Sequence, residues 1–275
     1  MKTLYLPLQA LAYLLLALAC TTSAMCAVTQ KDFLETKSKA EAGDAAAQFL
    51  LGRRYETGKG TLKDPKKAFE WYEKSAKQGF AAGQWMLGFC YYFGDGALKD
   101  RKKAFEWFGK SAKQGLAAGQ LMLGRCYQHG GGTLKDPKKA FEWYGKAAKQ
   151  GHADAQSRLA ACYCFGEGTL KDLKKAFEWY GKAAKQGHAS GQFGLAGCYY
   201  YGEGALKDLK KAFELFGKSA KQGDNAAQLM LGHCYYFGEG TLKDPKKAKE
   251  WVKKSFDNGF PLAKKFWEEN ELWKY

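Results

Sequence analysis

The sequence predicts an all-α chain built as a solenoid of helix-turn-helix repeats, and three observations predict it. A pattern of 36 residues recurs six times from Ala45 to Phe260 without insertion or deletion, and an unbroken period of this length marks a stacked-repeat architecture. The 33 glycines fall in fixed columns of the pattern, as tight turns and close helix packing require. Within each copy, apolar and small residues gather on one side of two helix-length segments, and lysines gather on the other.

In chain order, Lys2 precedes an apolar run from Leu4 to Ala19, broken only by Pro7 and Gln9. Small residues at Ala17-x-Ala19 and Thr22-x-Ala24 complete the pattern of a signal peptide over residues 1–24, cleaved near 19 or 24. A retained membrane anchor is the rival reading, although the run is just under the ~18–20 residues that a span needs. Lipidation at Cys20 is another alternative, weakened by Ala17 where such signals usually carry leucine. The expectation is therefore an exported chain, periplasmic or secreted, touching a membrane only through that segment or a lipid on Cys20. Residues 32–44 repeat the second-helix pattern one period early, with Phe33 for Phe69 and Ala40 for Ala76, and predict an N-terminal capping helix.

The repeats occupy 45–80, 81–116, 117–152, 153–188, 189–224 and 225–260. In the first, helix A runs from Ala45 to Thr57 and stops at Gly58, where a left-handed cap needs glycine. Leu62 is apolar inside a polar turn in every copy and is expected to plug the gap between helices. Asp64 with Pro65 is a favoured helix-entry pair, and helix B then runs to Gly79. Leu51, Gly52 and Tyr55 form the packing side of helix A; Ala68, Phe69, Trp71, Tyr72 and Ala76 form that of helix B. Lys66, Glu70 and Lys74, spaced by four, predict alternating charges along an exposed stripe. Residues 261–275 begin a further helix A but place Trp267, Glu268 and Glu271 where Leu, Gly and Tyr belong, which predicts a C-terminal capping helix.

The series Ala45, Gln48, Leu51, Gly52, Tyr55, Gly58, Gly60, Asp64, Lys67, Ala68, Trp71, Tyr72, Lys74, Ala76, Gln78 and Gly79, repeated through the copies, resembles the Sel-1-like repeat (SLR) family. The one mild departure is Leu62, where the family more often has valine. The resemblance implies a relative of the tetratricopeptide repeats: a right-handed α/α superhelix with a concave groove lined by helix A. It also implies a binding role, such as an envelope adaptor, signalling partner or host-contact factor.

With Leu51 as origin and about 100° per residue, Ala46, Phe49, Arg53, Glu56 and Thr57 lie opposite the packing side. Their counterparts include Trp85, Phe89, Tyr92 and Phe93, then Leu121, Arg125, Gln128 and His129, then Ser157, Ala161, Cys164 and Phe165. Phe193, Gly197, Tyr200 and Tyr201 follow, then Leu229, His233, Tyr236 and Phe237. The expected partner-binding groove is carried by Phe49, Arg53, Trp85, Phe89, Tyr92, Leu121, Arg125, Gln128, Phe193, Tyr200, His233 and Tyr236, since exposed aromatics mark recognition surfaces. For Phe93, Phe165, Tyr201 and Phe237, packing against the next repeat is the alternative.

Catalytic and cofactor readings find little support. His152 and His188 share a column that otherwise holds Phe80, Leu116, Asp224 and Phe260, so they fit a helix-entry role better than a metal site. No zinc-spaced set or phosphate-cradling loop occurs, and no cofactor or metal is expected. Some cysteine-rich relatives of the family are linked with β-lactams. Here Ser-x-x-Lys is missing, and Ser75-Ala76-Lys77 sets its two groups on opposite faces, so the chain is not expected to be an enzyme. Cys90, Cys126, Cys162, Cys198 and Cys234 recur every 36 residues. Neighbouring helices stand about 8–10 Å apart, beyond the ~7 Å limit for a disulfide, so a buried small hydrophobe is expected in this column. The net charge of +16 comes chiefly from Lys63, Lys66, Lys67, Lys74, Lys77 and their equivalents. These lysines form either a solvated face or a surface for acidic envelope polymers, lipid head groups or an acidic protein. Nucleic acid is not an expected partner of an exported chain without a nucleic-acid-binding motif.

Overall fold

A computed structural model describes residues 30–274. The expected signal segment, Lys2, Cys20 and Cys26 lie outside the described residues. Among those residues the chain forms fourteen α-helices, a short 3-10 helix and no strand. Helix α1 covers 30–41. Helices A and B then alternate: α2 (Ala45–Thr57), α3 (Pro65–Lys77), α4 (Ala81–Phe93), α5 (Arg101–Lys113), α6 (Ala117–His129), α7 (Pro137–Lys149) and α8 (Ala153–Phe165). The series continues with α9 (Leu173–Lys185), α10 (Ala189–Tyr201), α11 (Leu209–Lys221), α12 (Asn225–Phe237), α13 (Pro245–Asp257) and α14 (Pro261–Glu269), before the 3-10 turn Leu272–Lys274. The chain divides into two compact units, the first ending at Gly119 and the second beginning at Gln120. Each is a stack of consecutive helix pairs.

Local chemistry sets the helix ends. Gly58 adopts φ 75° and its N–H donates to Arg54 O, closing α2 with a left-handed cap. The Asp64 carboxylate accepts from Lys67 N at 3.0 Å and starts α3. Between them the turn is held by main chain, because Asp64 N donates to Tyr55 O at 2.8 Å. The next turn in the first unit then rests on this helix entry: a Cβ on Gly96 would stand 2.1 Å from Pro65 O. Backbone contact thus closes the gap that Leu62 was expected to plug, and Leu62 points outward with 87% of its surface exposed. Leu98, Leu134, Leu170, Leu206 and Leu242 do the same, so that expectation is corrected in every copy.

The pairs interlock through small residues and a polar staple. Leu51, Gly52 and Tyr55 are buried, as are Ala68, Tyr72 and Ala76. The Tyr72 ring lies so close to Gly52 that a Cβ there would stand 2.6 Å from it. Buried Gln48 donates to Ala40 O at 3.1 Å and accepts from Gln78 Nε2 at 2.7 Å. Gln84 repeats this with Ala76 O and Gln114, and in the second unit Gln156 does so with Ala148 O and Gln186. A buried amide is costly unless satisfied, so this ladder fixes the register of successive pairs. Phenylalanines of helix B meet tyrosines of the following helix A edge-on: Phe69–Tyr91 at 5.4 Å, Phe177–Tyr199 at 5.4 Å and Phe213–Tyr235 at 5.2 Å. Phe33 of α1 meets Tyr55 in the same way at 5.7 Å, so α1 packs onto α2 as a helix B would. Such pairs contribute about 0.5–1.5 kcal/mol beyond the area that they bury.

The exposed side of helix B departs from the expected ladder of charges. Lys74 folds over Trp71, with Nζ 3.9 Å from the ring centroid, and Lys110, Lys146 and Lys182 cover Trp107, Trp143 and Trp179 likewise. An indole face attracts an ammonium without having to hold two flexible ions in register. The ion pairs that do form on α3 join Lys67 to Asp64 at 3.5 Å and Lys77 to Glu73 at 3.0 Å.

Candidate functional site

The expected contact residues fall into three columns of helix A, with a fourth aromatic column beside them, and the structure treats the columns differently. The first is largely occupied by the protein itself. Phe49 is half-buried, 6.0 Å from the Tyr72 ring and 5.7 Å from Phe80, and Phe193 lies 5.8 Å from Phe216. Leu121 is buried, at 7% exposure, so it is removed from the contact surface. Helical side chains lean toward the N-terminus over the preceding turn, which carries this column onto the middle of helix B. A wheel projected down the axis does not show that lean. Trp85 is half-buried beside Phe89, at 6.2 Å.

In the second column Arg53 is exposed and paired with Glu56 at 3.7 Å, whereas Phe89 and Arg125 are half-buried. His233 Nδ1 lies 3.2 Å from Glu239 Oε2 but is not aligned for a hydrogen bond. Burial holds its imidazole below the usual range, against the pull of Glu239. The third column is tied down internally. Gln128 accepts from Tyr144 Oη at 2.7 Å and donates to Glu167 at 3.3 Å. Tyr200 Oη donates to Glu239 at 2.6 Å, and burial together with that carboxylate pushes the phenol up. Tyr92 packs against Phe93 at 4.9 Å. Tyr236 and His233 are covered by Phe266 of α14, at 5.8 and 5.6 Å, so the last repeat presents less free surface than expected. In the fourth column Phe93, Phe165, Tyr201 and Phe237 are half exposed or more. That excludes full packing against the next repeat.

One open hollow remains in the second unit, between α8 and α10, with a volume of about 430 Å³. Its origin is legible in the columns. Where other repeats carry Trp85 and Phe89 or Leu121 and Arg125, the fourth and fifth carry Ser157, Ala161 and Gly197. Gly194 stands where others have Met86, Met122 or Met230, and the Tyr180 ring leans into the space, 2.3 Å from where a Cβ would be. A Cβ on Gly197 meets nothing within 4 Å. Tyr180 and Phe216 of the B helices form an aromatic floor, Phe193 and Met230 line it, and Phe165 and Tyr201 stand at the edge. The polar groups are few: Arg158, paired with Asp154 at 3.0 Å, and Glu203. An apolar concavity with a few fixed polar groups suits a bulky apolar side chain on a polar backbone.

Of the residues singled out from sequence, the hollow brings in Phe193 but not Phe49, Arg53, Trp85, Phe89 or Arg125. The sequence signal for the hollow is the loss of large side chains in two consecutive repeats, at Ser157, Ala161 and Gly197.

Cys164 lines the hollow, half-buried, and burial raises its thiol above the ordinary value. Cys90 and Cys234 are buried and pushed up to about 12, Cys162 and Cys198 to about 11. Cys90, Cys162, Cys164, Cys198 and Cys234 are free thiols. The ladder cysteines are buried core residues. Among the described residues no cluster of three or more His, Cys, Asp or Glu could hold a metal ion. No helix among them is long and apolar enough to cross a membrane.

Stacked helix pairs of one fixed length, joined by glycine turns, define an α-helical repeat architecture. The Sel1 repeat model matches residues 45–80, 81–116, 117–152, 153–188, 189–224 and 225–260, and the chain belongs to the Sel1 repeat family. A Sel1 repeat protein from Oxalobacter formigenes has a similar structure, with 32% identity and a TM-score of 0.74 over 84% of this chain and 96% of that one. A protective antigen present in uropathogenic Escherichia coli strains, displaying an SLR fold, is 35% identical with a TM-score of 0.73. The match covers 84% of this chain but only 50% of the antigen, so this chain spans half that protein's length. No curated protein matches the chain. Sel1 repeat proteins are generally protein-interaction scaffolds, and the fold is typically non-catalytic.

Proposed function

We propose that the chain is an exported scaffold that holds an extended segment of a partner protein, anchored by one large apolar side chain in the hollow of the second unit. The observation that carries this reading is the run of small residues Ser157, Ala161 and Gly197, which leaves about 430 Å³ open above an aromatic floor. An anchor such as Phe or Leu would bury its side chain there for about 1.5–3 kcal/mol, while Arg158 and Glu203 face the peptide backbone. The reading of export rests on the Lys2 and Leu4–Ala19 pattern. The test is a selection of displayed random peptides on the full chain and on Gly197→Leu. Selected peptides should share a bulky apolar residue and bind the wild type at least about tenfold more tightly, since about 1.4 kcal/mol of anchor burial is one decade. Peptides that bind both chains equally would remove the hollow as the site.

A further inference from the structure

The six leucines displaced from the helix gap form a feature that peptide binding does not use. In the second unit Leu134, Leu170, Leu206 and Leu242 are each 88–91% exposed. Scattered single apolar residues on a surface need no explanation, but these occupy one column at nearly full exposure.

They also share one edge. A Cβ on Gly168 would lie 2.0 Å from Pro137 O, one on Gly204 2.1 Å from Leu173 O, and one on Gly240 2.1 Å from Leu209 O. Each turn therefore sits against the helix entry that follows the preceding turn, and the leucine tips project in a row. Each leucine is followed directly by an exposed lysine, Lys135, Lys171, Lys207 or Lys243, with a second at Lys138, Lys174, Lys210 or Lys246.

The neighbouring carboxylates are largely engaged elsewhere. Asp136, Asp172, Asp208 and Asp244 each cap a helix and pair with the lysine three residues on, at 3.0–3.1 Å. Glu167 accepts from Gln128, and Glu239 accepts from Tyr200. The edge is thus a row of aliphatic tips set among cations, in a chain of net charge +16.

We infer that this edge of the second unit docks onto an anionic phospholipid surface, the leucines entering the headgroup–acyl boundary and the lysines meeting the phosphates. A folded protein would need a matching row of separate pockets at the repeat spacing, whereas a fluid interface accepts tips at any spacing. Aliphatic insertion beside lysine is the combination that binds anionic interfaces, and each lysine near such a surface is worth about fivefold in affinity.

The test uses the full chain with phosphatidylcholine bicelles, with and without 30% phosphatidylglycerol, carrying a trace of spin-labelled lipid. The methyl resonances of Leu134, Leu170, Leu206 and Leu242 should broaden in the anionic bicelles, while those of buried Leu159 and Leu231 stay sharp. Leu134→Ser/Leu170→Ser/Leu206→Ser/Leu242→Ser should keep its helical circular dichroism and lose at least about tenfold in affinity for anionic vesicles, since each leucine removes part of a side chain's transfer free energy. The residues before Gln30 are common to both chains, so their contribution cancels in that ratio. Four sharp leucine methyls in the anionic bicelles would overturn the proposal, as would equal broadening without phosphatidylglycerol. Saturable broadening produced instead by an added protein, with none by lipid, would assign the edge to a protein partner and overturn it as well.

Discussion

Two glycines in one turn separate backbone strain from backbone contact, and their difference can be worked from the structure. Gly166 and Gly168 have φ of 73° and 74°, where an L side chain costs about 1–2 kcal/mol. A Cβ on Gly166 would find its nearest atoms 3.5 Å away, an ordinary contact. For Gly168 the Cβ would stand 2.0 Å from Pro137 O and 2.5 Å from its carbonyl carbon, main-chain atoms that cannot rotate aside. The start of α7 and the turn would have to part, adding an overpacking cost of about 1–3 kcal/mol. Gly166→Ala should therefore lose about 1–2 kcal/mol and Gly168→Ala about 3–4 kcal/mol. At about 2–4 °C per kcal/mol for a chain of this size, thermal melts should fall by about 4 °C and 10 °C respectively. Equal losses would refute the claim that the turns are seated by main-chain contact, and with it the reason why the leucines point outward.

Three further outcomes follow from the same geometry. Ser75→Ala removes the 2.6 Å hydrogen bond to Ala45 O from a fully buried hydroxyl. It should cost about 1 kcal/mol in a urea titration without misfolding, since Ala147 and Ala183 stand in the same column. Asp64, Asp136, Asp172, Asp208 and Asp244 are held below the usual 3.8, chiefly by the backbone N–H of the lysine three residues on. Their contribution to stability is complete above about pH 4 and is lost as pH falls through their lowered folded values. Asp172→Asn should keep the cap and flatten the acid side of the melting-temperature profile, whereas an unchanged profile would remove this aspartate from the acid response. Under native conditions a small maleimide should modify half-buried Cys164 before Cys90, Cys126, Cys162, Cys198 or Cys234, and Cys164-modified chain should lose peptide binding. Mass spectrometry of the labelled sites checks the order, and prior labelling of a ladder cysteine would contradict it.

Helix ends and pairing were legible in the sequence because they depend on single residues with narrow roles: a left-handed glycine at 58, an aspartate cap at 64, and Gly52 beside Tyr72. The buried glutamine staple was visible only as a recurring Gln48 and Gln78, because their pairing across 30 residues and the bond from Gln48 back to Ala40 O depend on how the helices stack. Leu62 misled, since an apolar residue in a polar turn suggests burial, yet the main chain itself closes the gap. Much of the expected groove is closed for a related reason. Side chains such as Phe49 and Phe193 lean onto helix B, against Tyr72 and Phe216, and Gln128 and Tyr200 spend their polar groups on Tyr144, Glu167 and Glu239. The space that survives lies where Ser157, Ala161 and Gly197 lack bulk, which a search for large contact residues passes over.

Met230 supplies a built-in reporter for the proposed anchor site, because it lines the hollow while Met86 and Met122 are buried. With methyl-labelled methionine, a peptide selected on the full chain should shift the Met230 resonance in a saturable way and leave Met86 and Met122 in place. Saturable binding that leaves Met230 unmoved would contradict the account.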